Sequence, residues 1–101
     1  MECRYGEFTD EQFAEFKKKL HSKVHWFLIY KEHPEYACLD DYFENTLRYF
    51  CSLNNLLNDN PDIIELLTVL QIARDEAAKA DCDFRLYRKN VFEAHKIIDR
   101  L

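Results

Sequence analysis

"TDEQFAEFKKKLHSKVHWFLIY", residues 9–30, decides the fold. Thr9 is a capping hydroxyl, Gln12 completes a capping box three residues on, and Phe8 and Phe13 stand at the hydrophobic staple positions around the cap. Behind them Phe13, Phe16, Leu20, Val24 and Phe27 recur three or four residues apart. At about 100° per residue this keeps them within roughly a third of the circumference. The spacing predicts a helix over 10–30, ended by Pro34 within "KEHPEYACLD", residues 31–40.

The same logic carries through the rest of the chain. Asp40 or Asp41 can cap a second helix running to about Leu57, and Tyr42, Phe43, Leu47, Tyr49, Phe50, Leu53, Leu56 and Leu57 cover more than half its circumference. That breadth predicts the most buried helix of the set. Asn60 followed by Pro61 is a strong start signal for a third helix over 61–80, with Ile63, Leu66, Leu70, Ala73 and Ala77 on its core face. After "DCD", Asp81 or Asp83 caps a fourth helix over 84–101, striped by Phe84, Tyr87, Val91, Ala94, Ile98 and Leu101. Four helices of similar length joined mainly by short links make an all-α, compact antiparallel four-helix bundle, a single domain over 1–101. One Gly and two Pro in 101 residues argue the same way, since hairpins and tight turns demand more of both.

Composition narrows function without naming it. Hydrophobic residues are 48% and charged residues 33%, a balance that supports a packed core. Net charge is −5, from 19 acidic and 14 basic residues, which weighs against nonspecific nucleic-acid binding. No apolar run approaches a membrane span and "MECRYGEFTDEQF" lacks a signal-peptide layout, so a cytoplasmic protein is expected. Cys3, Cys38, Cys51 and Cys82 are scattered, as in a reducing compartment where Cys serves as a small apolar residue.

Nothing in the chain forms a catalytic constellation, and the single Gly excludes a glycine-rich phosphate loop. The protein is read as non-enzymatic, with no cofactor. The carboxylate pairs Asp40–Asp41 and Asp75–Glu76 are explained by capping and by a solvated face. Asn54, lying in the apolar arc of the second helix, is expected to hydrogen bond across helices and fix register. His21 and His25 are four apart, a spacing that can place two imidazoles on one metal, although Ser22 replaces the Glu of the zinc-protease motif. Metal binding through these two is therefore an alternative reading, against the plainer one that both flank the core.

Two surfaces remain as candidate partner sites. Trp26 and Ile29 point well away from the stripe of the first helix, and Leu86, Ile97, Ile64 and Ile72 lie off their own stripes. Arg85, Lys89, Phe92 and Lys96 share the side of the fourth helix opposite much of its apolar stripe, with Arg100 beyond them. Such surfaces suit a protein partner or a homo-oligomer, with nucleic acid ranked last on charge and no membrane role. The primary expectation is an interaction module without enzymatic activity that binds a protein partner or itself through the apolar surface near Trp26 and Ile29. The basic side of the fourth helix reads first as a solvated face and next as a partner site.

The stretch "YGEFTDEQFAEFKKKLHSKVHWFLIYK", residues 5–31, resembles the start of small helical proteins of unknown function from gut anaerobic bacteria and their mobile elements. The resemblance covers about a quarter of the chain and carries no catalytic motif. It implies a context: accessory proteins of mobile elements include inhibitors of host defences such as anti-CRISPR proteins, often compact, acidic and non-enzymatic. That is the second alternative reading.

Overall fold

A computed structural model describes residues 9–57 and 59–101, together with the backbone of 2–3 and 6–7. A minimal antiparallel ladder, β1 (Glu2–Cys3) with β2 (Gly6–Glu7), precedes four helices: α1 (Asp10–Glu32), α2 (Leu39–Leu56), α3 (Pro61–Ala77) and α4 (Phe84–Arg100). α1 and α2 pack together, as do α2 with α3, α3 with α4, and α4 with α1, so the four helices close into a ring. The result is an all-α bundle 45 Å long and 22 by 21 Å across. Among the described residues no helix is long and apolar enough to cross a membrane.

The helix starts follow local chemistry. Thr9 Oγ1 accepts from Gln12 N at 3.1 Å while Gln12 Oε1 accepts from Thr9 N at 3.1 Å, the reciprocal capping box. Phe8, the other half of the expected staple, lies outside the described residues. Asn60 caps α3 through Asp62 N at 2.8 Å, and Asp83, not Asp81, caps α4 through Arg85 N and Leu86 N. α2 departs from expectation: its N-cap is Cys38, with no side-chain hydrogen bond. Asp40 and Asp41 fall in its first turn, where they face the positive end of the helix dipole. Asp40 also reaches across to α3, receiving both Nε and Nη2 of Arg74 at 2.9 and 3.1 Å.

α3 stops at Ala77, short of the expected 80, because Glu76 reorganises the turn. The Glu76 carboxylate accepts Asp83 N at 2.8 Å and pairs with Lys79 at 2.8 Å. Only 5% of Glu76 is exposed, so it is a buried part of the α3–α4 reversal and not the solvated residue expected from sequence. The hydrogen bond from Lys79, then that from Asp83 N, holds its carboxyl below the ordinary range.

The core joins Leu20, Val24 and Phe27 of α1, Phe43, Phe50 and Leu53 of α2, Ile63, Leu66, Leu70 and Ala73 of α3, and Tyr87, Val91, Ala94, Ile97 and Ile98 of α4. α4, whose contact with α3 is the most extensive in the ring, is more enclosed than α2, whose contact with α1 is the slightest and whose Tyr42, Leu47, Tyr49 and Leu56 remain half-buried. Ile97, which the single-stripe reading left outside, is fully buried there. Aromatic rings bind α1 to α2: Phe27 stacks on Phe43 at 4.2 Å and meets Tyr42 edge-on at 5.0 Å. Tyr42 OH donates to Lys23 O at 2.6 Å, and the buried Tyr87 OH donates to Phe27 O at 2.7 Å, tying both neighbours to the backbone of α1.

Candidate functional site

On an acidic chain, the outer face of α4 concentrates positive charge. Its sequence carries five basic residues (Arg85, Arg88, Lys89, Lys96, Arg100) against Glu93 and Asp99, a balance of +3 within a chain of −5. At about 100° per residue, Arg88, Phe92, Arg85, Lys96 and Lys89 fall within an arc of about 100°, facing away from Tyr87, Val91, Ala94 and Ile98. All five are exposed. Asp99 shares this arc at its C-terminal end, but its carboxylate is turned to His21 of α1.

Other cations divide: Lys17, Lys19, Lys23 and Lys31 of α1 make no ion pair among the described residues either, whereas five are held by carboxylates. Arg74 is held by Asp40 and Glu44, Arg48 by Glu44, Lys79 by Glu76, Lys18 by Glu15, and Arg100 by Asp62 and Glu65. Arg85, Arg88, Lys89 and Lys96 make no ion pair among the described residues. Arg88 lies over the Phe92 ring at 5.2 Å, a cation–π contact that orders both side chains while leaving the guanidinium edge in water. Phe92 is 44% exposed at the centre of this basic field. Sequence spacing identified Arg85, Lys89, Phe92 and Lys96 but missed Arg88. Its signal was the i to i+4 step from Arg88 to Phe92.

Trp26 and Ile29 occupy different ground. Trp26 is 40% exposed and stacks on Tyr30 at 5.3 Å, and Tyr30 in turn meets Tyr42 edge-on at 5.0 Å. This aromatic run lies toward α2, so the two halves of the sequence-predicted partner set do not form one surface. Ile29 is half-buried. Ile64, Ile72 and Leu86 are exposed, as their positions off the stripes imply. A cleft of about 170 Å³ between α1 and α2, lined by Phe16, Tyr49, Ser52, Leu53 and Leu56, falls below the roughly 300–1,000 Å³ of small-molecule sites.

His21 and His25 are placed differently. His21 spans the α1–α4 seam: its Nδ1 lies 2.7 Å from His95 Nδ1, its Nε2 lies 2.8 Å from Asp99 Oδ1, and its ring stacks on His95 at 5.0 Å. Both ring nitrogens are thereby engaged. His25 is exposed. His33 pairs with Glu35 and stacks on Tyr36, while Cys38 is an exposed free thiol. Among the described residues no group of three or more His, Cys, Asp or Glu side chains is placed to hold a metal ion. Burial in the seam, followed by the neighbouring His21 and His25, pushes the His95 imidazole below its ordinary pKa, with Asp99 opposing. His95 adjoins the basic face, its ring 6.5 Å from that of Phe92.

No family model matches the chain, and no curated protein or solved structure matches it either.

Proposed function

We propose that the protein is a non-enzymatic helical interaction module of the cytoplasm that docks an acidic protein partner on the outer face of α4. The observation that carries this reading is the row of four cations without carboxylate partners gathered within one arc around the exposed Phe92, whereas the other described arginines, Arg48, Arg74 and Arg100, are paired. Phe92 supplies the desolvated anchor and the cations supply steering and register, the division of labour expected of a charged interface. A partner bearing carboxylates is favoured over a nucleic acid because the basic face is confined to one side of α4 on a chain of net charge −5, a short track for an extended phosphate backbone. The free thiols Cys38, Cys51 and Cys82 suit a reducing compartment.

Titration with poly-L-aspartate and with oligo-dT, followed by fluorescence anisotropy, tests the assignment. The double reversal Arg85→Glu with Lys89→Glu is expected to weaken poly-L-aspartate binding by roughly tenfold or more, and Phe92→Ala by about fivefold, with folding intact by circular dichroism. Stronger binding of oligo-dT than of poly-L-aspartate would replace the acidic partner with a nucleic acid. Light scattering on the same samples identifies the version in which the acidic surface belongs to a second copy. Concentration-dependent dimers abolished by the charge reversal are its signature.

A further inference from the structure

The His21–His95 contact has a chemistry that the docking reading leaves unused. A hydrogen bond between two imidazole nitrogens needs one donor and one acceptor, so the 2.7 Å Nδ1–Nδ1 contact holds a single proton. The ionised Asp99 carboxylate only accepts, which fixes a proton on His21 Nε2. With both rings neutral, His95 Nδ1 donates to His21 Nδ1. One added proton is accommodated by reversal: His21 becomes the imidazolium and donates from Nδ1, while His95 carries its proton on Nε2. A second added proton makes both Nδ1 atoms donors and breaks the contact.

The surrounding charges set where this happens. From α1, His25 acts on His95, and Lys17 Nζ donates to Asp99 O at 3.1 Å. From α4, Asp99 attracts the charge, and Arg88 lies over Phe92, whose ring is 6.5 Å from that of His95. α2 and α3 supply none of the charges acting on His95. The seam is thus a cluster of three histidines and one carboxylate on the edge of the α4 face.

We propose that His21 and His95 form a proton-operated latch on the α1–α4 seam, which opens in mild acid, adds imidazolium charge to the α4 face and tightens docking of the acidic partner. The regulatory half of this proposal rests on the docking reading above. The latch itself does not, because its titration is a property of the free protein. A docked carboxylate stabilises the protonated rings, so binding takes up protons and affinity rises as pH falls through the histidine range. A one-unit rise in a ring's pKa on docking corresponds to a tenfold gain.

Two measurements test the proposal. Imidazole NMR titration of the free protein is expected to give two separated, coupled steps for His21 and His95, and in His95→Gln a single step for His21. Independent, ordinary titrations of both rings would overturn the latch. Poly-L-aspartate affinity at constant ionic strength is expected to be about tenfold higher near pH 5.5 than near pH 7.5. That ratio should fall to about twofold in His95→Gln and stay near its wild-type value in His25→Gln. Equal affinity at the two pH values would overturn the gate while leaving docking in place, whereas no binding at either would overturn docking.

Discussion

Tyr87 concentrates more of the fold than any neighbour on its stripe. The ring is fully buried against Phe43 and Phe84, and its hydroxyl crosses from α4 to the Phe27 carbonyl of α1. Burial pushes its pKa upward, so the hydroxyl stays a donor throughout the working pH range. Tyr87→Phe keeps the ring and deletes the bond, leaving a buried carbonyl one partner short. A loss of about 1–2 kcal/mol in urea denaturation is expected, without change of helix content. The sequence placed Tyr87 on the core stripe by spacing alone, but the bond's acceptor is a backbone atom 60 positions away, beyond any local pattern. Asn54 illustrates the opposite error. Its wheel position pointed across helices, yet its Nδ2 donates to Asp59 Oδ1 at 3.4 Å and its backbone carbonyl accepts Asp59 N at 2.8 Å. Asp59 adopts the left-handed conformation, φ 57°, that Asp tolerates better than most residues. Helix α2 ends at Leu56, so Asn54 serves the turn and not the register.

At the scale of elements, caps were legible where a side chain bonds its own helix and illegible where it works elsewhere. Thr9, Asn60 and Asp83 behave as their identities imply, whereas Asp40 serves α3 through Arg74 and Glu76 serves α4 through Asp83 N. The α3–α4 turn therefore has two carboxylates with separable tasks. Asp83→Ala is expected to cost about 1 kcal/mol in thermal or urea denaturation, while Asp81→Ala, at an exposed position without a capping bond, stays within about 0.5 kcal/mol. The basic face of α4 was visible in outline because charge and periodicity are local properties. That its cations lack partners was not, since pairing depends on which neighbouring helices present carboxylates. Arg100, on the same helix, is taken by Asp62 and Glu65 of α3.

For the whole molecule, the fold class followed from periodicity and punctuation, while the ring order of the helices followed only from packing. That order has a measurable acid response. His95 titrates below its unfolded value, so its contribution is complete above the unfolded histidine pKa near 6.5 and is lost as pH falls through the lower folded value. Asp40, lowered first by its Arg74 hydrogen bonds, and Glu76 contribute above the unfolded carboxylate range and lose that contribution as pH falls below it. Denaturation midpoints measured from about pH 7.5 to pH 3 should therefore decline in two stages, histidine first and carboxylate second, with the first stage absent in His95→Gln. The seam between α1 and α4 also gives the bundle a property independent of any partner. Lys17 meets the carbonyl of Asp99, so the start of the first helix and the end of the last lie side by side at one end of the rod. A backbone closed there by a short linker and reopened at the exposed Asp59 turn would begin with α3 and finish with α2, every helix keeping both neighbours. Chain order would change while the four helix-to-helix interfaces stay as they are.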